Sequence, residues 1–110
     1  SVIGMFELPL NPDVVFQDRF LIAGPQITLI NEPEQHQNDR QIFLEGKAYN
    51  ISRLWLNDRQ IYTDAQGNFK EALILETGYT ITTLRAEDRY GRGTNLTRSY
   101  VYTPASFLSE

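Results

Sequence analysis

The sequence predicts an all-β domain: an antiparallel sandwich of about seven short strands, preceded by an extended N-terminal arm. Three observations predict it. Between Ser52 and Gly91 apolar residues alternate with polar ones, most clearly where Leu54 and Leu56 alternate with Arg53 and Trp55; that is the period of a strand with one buried face. Turn residues separate these runs, first Asn57-Asp58 and then Asp64-Ala65-Gln66-Gly67. Connections that short force antiparallel neighbours, because a parallel crossover takes a dozen or more residues.

Taken in order, the arm comes first. Val2, Phe6, Leu8 and Leu10 fall on even positions with Gly4 between them, a strand-like period of two. Pro9 has no N–H, so this strand suits only an edge, and Asn11-Pro12-Asp13 breaks it. Val14-Val15-Phe16 and Phe20-Leu21-Ile22 suit a short helix or a strand equally, and Ala23-Gly24-Pro25 forms a joint. Ile27 and Leu29 mark the first sandwich strand, ended by Asn31-Glu32-Pro33, and the polar run 34–39 reads as a loop. Ile42, Leu44, Gly46 and Ala48 share one face of a second strand. Further strands are expected at Arg53–Leu56, 60–63, 68–75, 80–87 (Thr82, Leu84 and Ala86 on one face) and 96–102. Asp64 and Gly67 hold the first and fourth places of a type I turn. Turn signals every 8–12 residues are the spacing of an immunoglobulin-like sandwich. The expected divisions are an arm over 1–25, the sandwich over 26–104 and a tail over 105–110.

Composition bounds the function. The chain has 110 residues, a formal charge of −4, 22% charged residues and no cysteine. One domain with one core is the expectation, with no disulfide and no thiolate nucleophile or metal site. No apolar run approaches the ~18 residues of a membrane-spanning helix, so a membrane link would need a segment outside this sequence. Acids dominate the first part, with Glu7, Asp13, Asp18, Glu32, Glu34, Asp39 and Glu45 against Arg19 and Arg40. Nucleic acid is excluded as an expected partner, since phosphate neutralisation needs a concentrated basic face. Arg85, Arg89, Arg92 and Arg98 read as a solvated strand face.

The order Leu54-Trp55-Leu56-Asn57-Asp58, Asp64-Ala65-Gln66-Gly67-Asn68-Phe69, Leu75, Gly78 and Ala86-Glu87-Asp88-Arg89-Tyr90-Gly91 resembles bacterial immunoglobulin-like modules of the glucodextranase B-like type. Pro25-Gln26-Ile27-Thr28-Leu29 with Pro33 suits the first strand of such modules, and the likeness covers roughly residues 25–104. It implies an extracytoplasmic accessory, spacer or surface domain, with no shared catalytic residues to carry over.

Several side chains invite a chemical role, and each has a plainer reading. His36 lies in a polar run without a nucleophile or acid at recognisable spacing, so it reads as a surface residue. Glu76, Glu87 and Asp88 could supply glycosidase carboxylates only within a cleft, and Asp88 reads instead as the cap of the turn before Gly91. Asp64, Gln66 and Asn68 carry alternate oxygens, but the glycine and glutamate of a calcium loop are missing. Asn50-Ile51-Ser52 and Asn95-Leu96-Thr97 are glycan-acceptor sequons, two where chance gives about one, and so weak evidence of glycosylation.

Trp55 and the arm carry the sharper expectations. With Leu54 and Leu56 inward, period two turns Trp55 outward, near Gln60 and Tyr62 across the hairpin. An exposed indole beside a tyrosine stacks on sugar rings, so Trp55 and Tyr62 are the candidate glycan-stacking residues; burial of Trp55 against protein is the favoured alternative. The apolar strip of Val2, Phe6, Leu8 and Leu10 is costly to leave in water, and pairing with a neighbouring subunit's edge strand, the donor-strand mode, would cover it. The expectation is therefore a non-enzymatic extracytoplasmic module, without cofactor, acting in surface structure, adhesion or subunit assembly. A carbohydrate-binding accessory module is the alternative.

Overall fold

The computed structural model describes residues 24–105. The arm residues Val2, Phe6, Leu8 and Leu10 lie outside the described residues. Within them the fold is all-β: eight strands in two sheets that enclose one core. The strands are β1 (Gln26–Ile30), β2 (His36–Gln37), β3 (Gln41–Tyr49), β4 (Arg53–Leu56), β5 (Arg59–Ile61), β6 (Asn68–Ile74), β7 (Gly78–Glu87) and β8 (Gly93–Tyr102). One sheet runs β1-β3-β6, the other β2-β8-β7-β4-β5.

The alternation in sequence is what closes the two layers. Ile42, Leu44 and Ala48 of β3, with Phe69 and Leu73 of β6, turn inward from the first sheet. Leu54, Leu56, Ile61, Leu84, Ala86, Tyr100 and Tyr102 meet them from the second. The small residue at Gly46 has a packing cause. A Cβ there would stand 2.4 Å from the Thr28 carbonyl oxygen and 2.7 Å from the Phe69 ring, which fills the space above it.

The 34–39 run departs from its reading as a plain loop. His36 and Gln37 pair in parallel with Val101 and Tyr102, anchored by Val101 N–H donating to Gln35 O and Thr103 N–H to Gln37 O. The fold is thus antiparallel apart from this pair. The chain leaves the first sheet after β1 and joins the far edge of the second, which puts β2 alongside β8 in the same direction. This strand is the one added to the seven expected. The other strand ends shift by a few residues: β7 and β8 begin at Gly78 and Gly93, and β5 spans Arg59–Ile61.

The connections follow the turn chemistry. Gly67 N–H donates to Asp64 O at 3.0 Å, and Asp64 Oδ1 accepts from the N–H groups of Gln66 and Asn68 at 2.9 Å each. The Asn68 backbone bond, joined by its side-chain amide and by Gln66 and Gly67, outweighs desolvation and holds the Asp64 carboxyl below its ordinary range. Asn57 adopts φ 55°, accepts from Thr83 N–H through Oδ1 at 3.0 Å and donates its own N–H to Thr83 O at 2.7 Å. The β4–β5 turn is thereby locked onto β7.

Two ion pairs bridge the sheets along their open sides. Arg98 of β8 lies on the inward register and binds Glu32, just past β1, through Nε and Nη2. Arg59 of β5, opposite inward Leu56, binds Glu71 of β6 at 3.1 Å. Inward-pointing charges at sheet margins discourage the addition of further strands.

Candidate functional site

The outer face of the five-stranded sheet holds Trp55. It stands between Gln60 of β5 and Arg85 of β7 in register, and its outward turn follows from Leu54 and Leu56, 1% and 3% exposed. The indole is half-buried and covered from within its own sheet. The Arg85 guanidinium lies 4.0 Å from the ring centroid and that of Arg53 5.8 Å. Glu87 holds both arginines, one carboxylate oxygen each, at 3.1 Å and 3.2 Å. The protein that covers Trp55 is thus a cation–π pair of arginines tied to one carboxylate. A ligand ring stacking where Arg85 lies would first have to displace it.

Tyr62 is placed differently. It is 75% exposed and stands at a shallow groove between the start of β4 and the end of β5, with Ser52, Arg53, Gln60 and Thr63 on its walls. Trp55 does not line that groove. The two candidate stacking residues lie on one hairpin, Trp55 beneath Arg85 and Tyr62 at the groove.

Beyond Trp55 the same face is hydroxyl-rich. The Thr83 and Thr97 hydroxyls lie 3.4 Å apart, and Tyr79 donates to Ser99 at 3.1 Å. Tyr79 and Ile81 are 64% and 59% exposed at the sheet's far end. Asn95 is exposed opposite Arg85. Asn50, the other sequon residue, has φ 55° and donates its amide to Gly24 O at 3.4 Å.

The four arginines read as a solvated face serve four separate contacts: Arg85 on Trp55, Arg89 on Tyr90, Arg92 on Asp88 and Arg98 on Glu32. Asp88 is 6% exposed. Its Oδ1 accepts from the N–H groups of Tyr90 and Arg92, and its Oδ2 from Arg92 Nε at 2.6 Å. Desolvation works to raise its pKa, but the hydrogen bonds from Arg92 and Tyr90 together with the Arg92 charge overturn that, leaving the carboxyl below its ordinary range. Its oxygens close the turn that ends at Gly91, whose N–H donates to Asp88 O. His36 is exposed on β2. Among the described residues no three His, Cys, Asp or Glu side chains cluster as a metal site.

The inner face carries a polar group that sequence reasoning missed. The hydroxyls of Thr80, Thr82 and Tyr100 are buried without a hydrogen-bond partner among the described residues. Thr80 and Tyr100 are directly opposite on β7 and β8. Burial pushes the Tyr100 phenol up. The available signal was two threonines and a tyrosine on inward registers.

Comparison with known proteins brings no family model that matches the chain and no matching curated protein.

Proposed function

We propose that the chain is a non-enzymatic, extracytoplasmic immunoglobulin-like module that acts in surface structure, adhesion or subunit assembly, with the arm over residues 1–25 as the connector. The strand orders support the immunoglobulin-like part. β1, β3 and β6 oppose β4, β7 and β8, as strands A, B and E oppose C, F and G in that fold. The extracytoplasmic setting rests on the resemblance to bacterial surface modules.

The observation that carries assembly is the arm's composition beside a sandwich that needs no extra strand. β8 already lies between β7 and β2, so the arm has no missing core strand to replace. Val2, Phe6, Leu8 and Leu10 gain most from adding to an edge, where backbone hydrogen bonds and apolar burial act together. Sedimentation of the full chain and of a chain lacking residues 1–24 tests this. The full chain is expected to associate and the shortened one to be monomeric; an unchanged oligomeric state with unchanged stability defeats the reading.

A carbohydrate-binding role has one observation in its favour, the 75% exposure of Tyr62 at a polar groove. On a glycan array, binding lost in Tyr62→Ala and kept in Trp55→Ala would support that groove. Absence of binding by the unmodified chain would remove it.

A further inference from the structure

Resting on that assembly reading, we propose that the acceptor is the free edge of β1, which takes residues 2–8 of a neighbouring copy as an added strand. Five strand margins are open among the described residues: β1 and β6 in one sheet, and in the other β5, the length of β8 not covered by β2, and β2 itself, which at two residues is too short to template a strand. Three of them carry an inward charge. Glu71 stands on the inward register of β6 and is tied to Arg59 of β5, while Arg98 stands on that of β8 and is tied to Glu32. A strand arriving beside any of these would bury or break an ion pair, which is how natural sheets keep edges unpaired.

β1 itself carries no inward charge, and Glu32, the partner of Arg98, stands two residues beyond its end. The β1 sequence Gln-Ile-Thr-Leu-Ile contains no charge, proline or glycine, and among the described strands longer than two residues β1 is the only one without a charged side chain. Its inward residues Ile27 and Leu29 pack on the core but stay half-buried, and Ile30 is 44% exposed. An added strand would cover that apolar margin.

The donor fits in length and pattern. Residues 2–8 are apolar at Val2, Phe6 and Leu8 on one register and at Ile3 and Met5 on the other, and carry one charge, Glu7. Pro9 has no N–H to donate and ends the pairing. Folding back onto its own β1 would make residues 9–25 the connection between the two strands. The same stretch reaches about 50 Å when extended, enough to cross to another copy.

The chain has no cysteine, so introduced cysteines report contacts cleanly. Copies bearing Phe6→Cys or Glu7→Cys, one for each face of the arm, are mixed with copies bearing Thr28→Cys, Lys70→Cys or Asn95→Cys and oxidised. The expected product is a disulfide joining an arm cysteine to Thr28→Cys of the other copy. Preferential linkage to Lys70→Cys or Asn95→Cys overturns the β1 assignment while leaving arm-mediated assembly standing. So does a disulfide within a single chain carrying both Phe6→Cys and Thr28→Cys. As a second measure, Thr28→Glu places a carboxylate on the edge, opposite Lys47 of β3, where folding tolerates it. Sedimentation should show loss of association with an unchanged urea midpoint, and association as strong as in the unmodified chain overturns the proposal. If deletion of residues 1–24 leaves the oligomeric state unaltered, the assembly reading falls as well.

Discussion

At the level of single residues, Gly46 lets the Phe69 ring of neighbouring β6 lie across β3 within the first sheet. Replacing it with alanine drives a methyl group into the Thr28 carbonyl and the Phe69 ring. Overpacking of this kind costs about 1–3 kcal/mol, and Gly46→Ala should lower the urea midpoint accordingly. Among the described residues three carboxyls lie below their ordinary range and make stability respond to acid. Arg98's hydrogen bond lowers the Glu32 pKa, and the turn carboxyls Asp64 and Asp88 are lowered too. A group with a depressed folded pKa binds its proton more readily when unfolded. Its stabilisation is therefore complete above the ordinary carboxylate range, near pH 4, and is lost as pH falls through the folded value. Urea midpoints should be flat near neutrality and fall below about pH 4. Asp88→Asn should lower the midpoint at pH 7 and shrink the acid-dependent part.

Among the elements, the β4–β5 hairpin shows what was legible and what was not. Leu54, Leu56 and Ile61 announce their face by alternation, and the outward turn of Trp55 follows from them. The arginine that covers Trp55 comes from β7, and a period-two pattern says nothing about a neighbour thirty positions along. Asn57 signalled a turn; its two hydrogen bonds to Thr83 are tertiary. Asn57→Ala should cost roughly 1–2 kcal/mol, since it removes a bond to a backbone N–H and strains the positive φ. Asn57→Gly, which relieves the strain, should cost less, and chemical denaturation separates the two. β2 was hidden because two polar residues carry no periodicity. Glu32 and Arg98 stand 66 positions apart, and only the inward register of Arg98 hinted at a partner.

For the whole molecule, the buried cluster runs from Ile42 to Tyr102, with Ile27 and Leu29 packed on it. A polypeptide of residues 24–105 should therefore fold alone and unfold in a single cooperative transition in urea, seen by circular dichroism and Trp55 fluorescence alike. Non-coincident curves would mean that the core draws on segments beyond that range.

The sheet crossing between β1 and β2 also has a mechanical consequence. Gln26 lies at the Tyr49 pole of the first sheet and Tyr102 at the Gly78 pole of the second. A pull between residues 24 and 105 loads β2 against β8 lengthwise, because parallel neighbours tugged from opposite ends must slide rather than peel. Their hydrogen bonds then share the load and fail together, which is the geometry of a link that holds under tension.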